Sequence, residues 1–276
     1  MNMTISEHTI PFSAGAGEEI FAIADIHGRS ELLTALFETI AATERVSGLQ
    51  RTVVLLGDLI DRGPDSLGCL DLAIEAKEHT GADTVDVLCG NHEQMLLTAI
   101  IQDDQTLRRH LGYRNWLANG GTKVVEELLD QGHSARTPAD VREALGPERL
   151  LFLEGLLSHR TSGEILFVHA GLNPFIDLTT FLAEPVDVDF SRLEEDDHWA
   201  WIRGRFLEHK PSEHGNRGHH GHFVVHGHTP PAYEMLSLEE QLAHDRLNLD
   251  GGSYSTGRAR MARIIGSEVT FYEVGA

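Results

Sequence analysis

Five short apolar runs in this chain each stop at a cluster of polar, chemistry-bearing residues, and that recurrence constrains the fold more than any other feature. EIFAIA runs into Asp25-Ile26-His27-Gly28, TVVLL into Gly57-Asp58, and TVDVL with Cys89 into Gly90-Asn91-His92-Glu93. ILFV ends at His169-Ala170-Gly171, and HFVV at His226-Gly227-His228. Runs of this length, rich in β-branched residues and bounded by glycine and aspartate, read as strands. The segment after the first run places Leu33, Leu36, Phe37 and Ile40 at helical spacing. The punctuation is β-loop-α, and open α/β sheets carry their ligand sites at the carboxyl ends of strands. Five such ends delivering polar side chains imply one assembled site.

The remaining segments support this frame. Between 103 and 160 the pattern turns helical, with Thr137-Pro138-Ala139-Asp140 as a helix start: a capping threonine, a first-turn proline and an acid three residues on. The expectation is one α/β domain over residues 1–276 with a helical insertion at 103–160. Residues 181–198 carry seven acids, Glu184, Asp187, Asp189, Glu194, Glu195, Asp196 and Asp197, against Arg192, and read as a solvated surface segment. The stretch 208–222 is rich in glycine and histidine and reads as a solvated loop.

Charge and cysteine usage exclude several classes of function. A net charge of −21 over 276 residues repels phosphate backbones and anionic lipid, so neither nucleic acid nor a membrane is an expected partner. No signal-like start and no run of about 18 apolar residues is present, so nothing is expected to target or span a membrane. Two cysteines, Cys69 and Cys89, are too few for a disulfide framework and suit a reducing compartment, with cytoplasm as the expected location. Neither has an arginine six residues downstream, which removes cysteine-dependent phosphatase chemistry. Seventeen histidines are the compositional anomaly, and neutral imidazole is the commonest side-chain ligand for transition metals.

Asp25 and His27 form a weak signal alone. Gly57-Asp58-Leu59-Ile60-Asp61-Arg62-Gly63 is far more specific, because two carboxylates flank an apolar pair and an arginine follows at once. Asn91 adds an amide oxygen able to ligate a hard cation, and His92 an imidazole able to act as acid or base. His169 and His228 arrive from later strands. Asp25, His27, Asp58, Asn91, His169 and His228 together are a mixed oxygen and nitrogen set suited to two divalent ions such as manganese, iron or zinc.

These motifs, ADIHG, GDLIDRG, GNHE, HAG and HGHT in order, resemble the phosphoprotein phosphatase branch of the calcineurin-like metallophosphoesterases, in its bacterial serine/threonine form. The resemblance implies a two-layered β-sheet core flanked by helices. It implies that Asp25, His27 and Asp58 hold one metal while Asp58, Asn91, His169 and His228 hold the other. Arg62 would grip the phosphate, with Arg203 of Trp199-Ala200-Trp201-Ile202-Arg203 as the second arginine and Arg205 in reserve. His92, supported by Asp61, would be the catalytic acid. The implied reaction is hydrolysis of phosphomonoesters on proteins or peptides by direct attack of hydroxide generated on the metal pair. Glu93 after His92, and Pro230 where phosphodiesterase-like members carry a second histidine, favour the phosphatase side. Asp61 argues against the symmetrical diadenosine tetraphosphate hydrolases, which remain the alternative. A non-catalytic metal or phosphopeptide-binding module is the alternative of another class. His226 is expected to steady its neighbour His228 by a hydrogen bond, and Tyr254 to line the cleft.

Overall fold

The computed structural model describes residues 2–100, 107–186, 188, 190 and 193–275. Its strands are β1 (Asn2–Thr9), β2 (Glu18–Ile23), β3 (Gln50–Leu55), β4 (Thr84–Val87), β5 (His159–Ser162), β6 (Ile165–Val168), β7 (Phe223–His226), β8 (Arg246–Asn248), β9 (Arg258–Ile265) and β10 (Glu268–Gly275). They form one sheet in the order β1-β10-β9-β2-β3-β4 and a second in the order β5-β6-β7-β8. β2, β3 and β4 run parallel, as do β6, β7 and β8, whereas β1, β9 and β10 pair antiparallel.

The period-two alternation of side chains explains why the site strands read as unbroken apolar runs. On β2, Ile20 and Ala22 face the second sheet, where they meet Phe167, Phe223, Val225 and Leu247. Phe21 and Ile23 face the opposite way, against Leu33, Leu36, Phe37 and Ile40 of α1 (Ser30–Ala42). The outer face of the second sheet, Leu166, Val168 and Val224, is covered by Trp199, Ile202 and Phe206. The result is a two-layered β core with helical residues packed on both outer faces, as the resemblance implies.

All five site strands form. The other five strands, β1, β5, β8, β9 and β10, are not marked in the sequence, since they are short, largely exposed or half-exposed in alternation, as in EVTFYEVG, and carry no such polar cluster at their ends. Helix α2 (Ser66–Ile74), α3 (Ala76–Thr80) and α4 (Asn91–Ile100) follow the second and third site strands. The insertion contains α5 (Leu107–Trp116), α6 (Thr122–Asp130) and α7 (Pro138–Glu154), while 103–106 lie outside the described residues. It ends earlier than expected, since His159 and Arg160 already belong to β5. The cap is as read: the Thr137 hydroxyl accepts the Asp140 N–H at 3.2 Å, and Asp140 Oδ2 accepts the Thr137 N–H at 3.0 Å. In the acidic segment Glu184, Glu194 and Asp197 are exposed, and Asp187, Asp189 and Arg192 lie outside the described residues. Among the described residues no helix is long and apolar enough to cross a membrane.

The parallel strands of both sheets end along one rim, and backbone hydrogen bonds tie the loops there to one another. The N–H of Asp25 donates to Gly57 O at 3.2 Å, that of His27 to Asp58 O at 2.9 Å, and that of Gly227 to His169 O at 2.8 Å. The His228 N–H crosses between sheets to both carboxylate oxygens of Asp25, at 3.0 Å each. The His92 N–H, donating to Asp58 Oδ1 at 3.0 Å, adds the fifth loop, and the lacing makes one pocket.

Candidate metal centre

The loops are held in conformations that side chains seldom adopt. Of the eight non-glycine residues with left-handed φ among those described, six are Asp25, His27, Asp58, Asp61, Arg62 and His228. Each such residue costs about 1–3 kcal/mol, and such strain persists where surrounding structure over-determines it. Glu93 supplies much of that determination, since its carboxylate accepts N–H groups from Asp58 and Leu59, both at 2.8 Å, and from Gly90 at 3.0 Å. A Cβ at Gly90 would lie 2.2 Å from Asp58 Oδ1, so only glycine lets the two loops come this close.

Asp58 stands at the centre. Its Oδ2 lies 3.5 Å from His27 Nε2, and its Oδ1 lies 3.5 Å from His169 Nε2, so each oxygen faces a different group of ligands. Two buried sets have their donor atoms all within 4.8 Å of one another: His27, Asp58 and His92, and Asp58, His169 and His228. Asn91 Oδ1 joins the second set, 3.1 Å from His169 Nε2 and 2.9 Å from His228 Nδ1. Around the first set, where the sequence expectation places Asp25 with His27 and Asp58, His92 also comes close. His92 completes the triad, whereas the Asp25 carboxylate is turned to the His228 N–H while remaining in charge contact with Asp58.

The imidazoles are prepared to give lone pairs. His27 Nδ1–H donates to Ile60 O at 2.9 Å, His169 Nδ1–H to Leu56 O at 2.8 Å, and His228 Nε2–H to Trp201 O at 3.1 Å. Committing one ring nitrogen to a carbonyl fixes the tautomer and leaves the other as an acceptor. His169 Nε2, His228 Nδ1 and Asn91 Oδ1 thus converge as three acceptors with Asp58 beside them, an arrangement that a cation satisfies.

Electrostatics agree. Burial, followed by the charges of Asp250 and Asp58, pushes Asp25 well above the usual carboxylate range, and burial chiefly lifts Asp250 to about 6. Burial lowers His27 to about 4. Burial alone would raise Asp58, but the His169 and His92 rings hold it well below the ordinary range. Burial likewise lowers His92 and His228, whereas at His169 burial is outweighed by the Asp58 charge, which raises it. Crowded carboxylates among imidazoles whose lone pairs face one another form a set that divalent cations would stabilise.

A family model described as calcineurin-like phosphoesterase matches residues 19–267, which include every ligand named above. The chain belongs to the calcineurin-like phosphoesterase family. It is similar to serine/threonine-protein phosphatase 1 of Salmonella typhimurium, 38% identical over 121 residues, which are 44% of this chain and 46% of that protein. It is also similar to a symmetrical bis(5'-nucleosyl)-tetraphosphatase of Acidovorax sp. (strain JS42), 29% identical over 155 residues, 56% of this chain and 44% of that one. Either likeness spans less than half of the relative's length. The crystal structure of a cold-active protein-tyrosine phosphatase of a psychrophile, Shewanella sp., shares the fold, with a TM-score of 0.54 at 17% identity over 94% of this chain and 78% of that one.

In this calcineurin-like phosphoesterase the cleft above Asp58 encloses about 350 Å³ and is lined by Arg62, Asn91, Arg203, His228, Tyr233 and Tyr254, among others. Arg62 Nη1 donates to His27 Nε2 at 2.9 Å, and its guanidinium lies 5.0 Å from the Tyr254 ring centre. Tyr254, expected beside the cleft, is there. Of the two arginines held in question, Arg203 lines the cleft and donates to His228 O at 3.3 Å, while Arg205 is exposed and pairs with Asp196 at 2.9 Å. Of the two, only Arg203 is placed where its guanidinium could meet an anion in the cleft. Arg203→Ala is therefore expected to lower kcat/KM on phosphate esters about ten- to a hundredfold, and Arg205→Ala by less than about twofold, measured by steady-state kinetics. Equal effects would remove Arg203 from the site.

His92 and Asp61 form the expected pair: Nδ1 lies 2.7 Å from Asp61 Oδ2, both side chains are fully buried, and among the described residues His92 Nε2 has no hydrogen-bond partner. The His226 expectation is corrected. Its Nδ1–H donates to Gly227 O at 3.0 Å, in the turn that leads into His228, but its ring otherwise reaches Arg246 at 3.3 Å and packs on Phe206, and the His228 ring and N–H are held by Trp201 O and Asp25. The histidine-rich loop is only partly solvated, because His219 is buried and bonds to His244 O at 3.0 Å, while His214 and Gly221 are exposed. Both cysteines are buried, and burial raises their thiols further.

Four contributors escaped the sequence reading. From the segment after β8, Asp250 sets a like charge against Asp25, and the Ser253 hydroxyl donates to the carbonyls of Asp25 and Ile26. Trp116 reaches Asp61 from the insertion. In the sequence Glu93 marks the phosphatase side of the resemblance, and in the structure it clamps the Asp58 and Gly90 loops. Its spacing was informative, since an acid three residues after Gly90 can reach back to that N–H at a helix start.

Proposed function

We propose that this chain hydrolyses phosphomonoesters with the help of two divalent ions, and that its substrates are proteins bearing phosphoserine or phosphothreonine. The placement of Asp58 carries the reading, because one carboxylate offers an oxygen to each of two ligand groups. Asp25, His27 and Asp58 would hold one ion, with His92 close by, and Asp58, Asn91, His169 and His228 the other. Manganese is the proposed ion, and iron or zinc also suit this donor set. When bound, the pair supplies Lewis-acid charge and lowers the pKa of water enough for attack near neutral pH.

The chain's own residues do the rest. Arg62 and Arg203 face the cleft and neutralise the non-bridging oxygens, where phosphoryl transfer holds most of its charge. His92, with Nδ1 tied to Asp61, carries a proton at Nε2 and gives it to the leaving oxygen. An alkoxide from serine or threonine needs that proton, so an intact Asp61–His92 pair supports alkyl phosphate substrates, as does the likeness to a serine/threonine phosphatase. Under this reading residues 1–276 work as one domain in the cytoplasm, in keeping with two buried thiols.

The test is turnover with manganese on phosphoserine, phosphothreonine and phosphotyrosine peptides beside diadenosine tetraphosphate. Chelation should abolish activity and manganese restore it, with the first two peptides turned over fastest. Full activity in a verified metal-free sample would reject metal dependence. Faster cleavage of the dinucleotide than of every peptide would move the substrate to nucleotides, and peptide binding without phosphate release would make the chain a binding module.

A further inference from the structure

The insertion does more than cover the sheet. Between α5 and α6 the chain makes a wide π-type turn at Leu117–Gly121, a conformation frequent at functional places in helices. From the 116–121 stretch two contacts reach consecutive residues of the site loop. The indole Nε1–H of Trp116 lies 3.0 Å from both Asp61 oxygens, and Gly120 O accepts the backbone N–H of Arg62 at 3.2 Å. A third comes from α6, where Glu127 accepts the N–H groups of Ser66 at 2.6 Å and Leu67 at 2.9 Å. Trp116 is wholly buried, and a Cβ on Gly121 would lie 2.3 Å from its ring, so the turn is shaped around the indole.

We propose that Trp116 is a positioning residue for proton delivery: its indole N–H fixes the Asp61 carboxylate so that His92 is held with Nε2 beside Asp58. The inference rests on His92 being the general acid. Asp61 Oδ2 is shared between Trp116 and His92, and the Asp61 backbone is tied to the Ser66 hydroxyl at 3.0 Å. The carboxylate's terminal torsion is intrinsically broad. Without the indole donor, His92 alone restrains it, and the acid loses its fixed orientation.

The experiment compares Trp116→Phe, which keeps an aromatic ring and removes the N–H, with the same position carrying benzothienylalanine, where sulfur replaces that N–H in an isosteric ring. The second variant serves where the first does not fold, as judged by circular dichroism and Tm. Both are assayed on a phosphoserine peptide and on 4-nitrophenyl phosphate, whose leaving group needs no proton. The expected result is a kcat loss of about ten- to a hundredfold on the peptide, a much smaller loss on the aryl ester and an unchanged KM. In an Asp61→Asn background the Trp116 change should add nothing, since the two act in series. In the metal-free protein the downfield proton resonance of His92 Nδ1–H should move upfield in either variant. Equal losses on both esters, additivity with Asp61→Asn, or an unmoved resonance would overturn the proposal. His92→Asn is run in parallel. A leaving-group-selective loss there, with none at Trp116, defeats this inference alone, and no selectivity at His92 defeats the reading beneath it.

Discussion

Asp58→Asn is expected to be the most damaging single change at the candidate centre, lowering kcat by about 10³-fold or more and cutting bound manganese from two ions per chain. Each carboxylate oxygen faces a different imidazole set at 3.5 Å, and an amide keeps only one acceptor while turning an NH₂ toward the other set. The fold should survive, since the backbone N–H of Asp58 goes to Glu93, and an amide oxygen can still accept the His92 N–H that Oδ1 now takes at 3.0 Å. Metal stoichiometry and the rise in Tm on adding manganese report the loss apart from activity, because an ion that binds only the folded chain raises stability by mass action. A variant with two tightly bound ions and normal kcat would show that Asp58 does not bridge.

What could be read from the chain alone follows from where the physics is local. Strands buried on both faces, such as EIFAIA and HFVV, advertise themselves as apolar runs, and the residues that end them are adjacent in sequence to those runs. Asp25, Asp58, Asn91, His169 and His228 were legible for that reason. The supports were not, because they act across long separations: Trp116 lies 55 residues from Asp61, and Ser253 lies 228 from Asp25. A tryptophan in a helical stretch reads as core, and its indole N–H becomes informative only when a buried carboxylate is seen to need a donor. The edge strand β1 and its neighbour β10 are not legible in this way, because the largely exposed β1 and the half-exposed alternation of β10 resemble many surface segments. The choice between Arg203 and Arg205 likewise needed coordinates, since two arginines two apart differ in neither composition nor local pattern.

The role of His92 is separable from that of the metal ligands by its dependence on the leaving group. A serine or threonine alkoxide is strongly basic and departs only with a proton, while a nitrophenolate departs without one. General acid catalysis is typically worth about 10²–10⁴-fold, so His92→Asn should lower kcat by that order on phosphoserine peptides and far less on 4-nitrophenyl phosphate. Asp61→Asn should give the same pattern more mildly, because it removes the charge that orients Nδ1 at 2.7 Å but leaves the imidazole in place. The competing role is concrete, since His92 Nε2 also lies 4.0 Å from Asp58 Oδ2 and belongs to the triad with His27. A ligand at that position would give a different signature: loss of one ion, and equal slowing of alkyl and aryl esters. Metal content measured beside the two rates therefore decides the matter. Two retained ions with a selective loss assign the proton to His92, and one lost ion with uniform slowing assigns His92 to the metal.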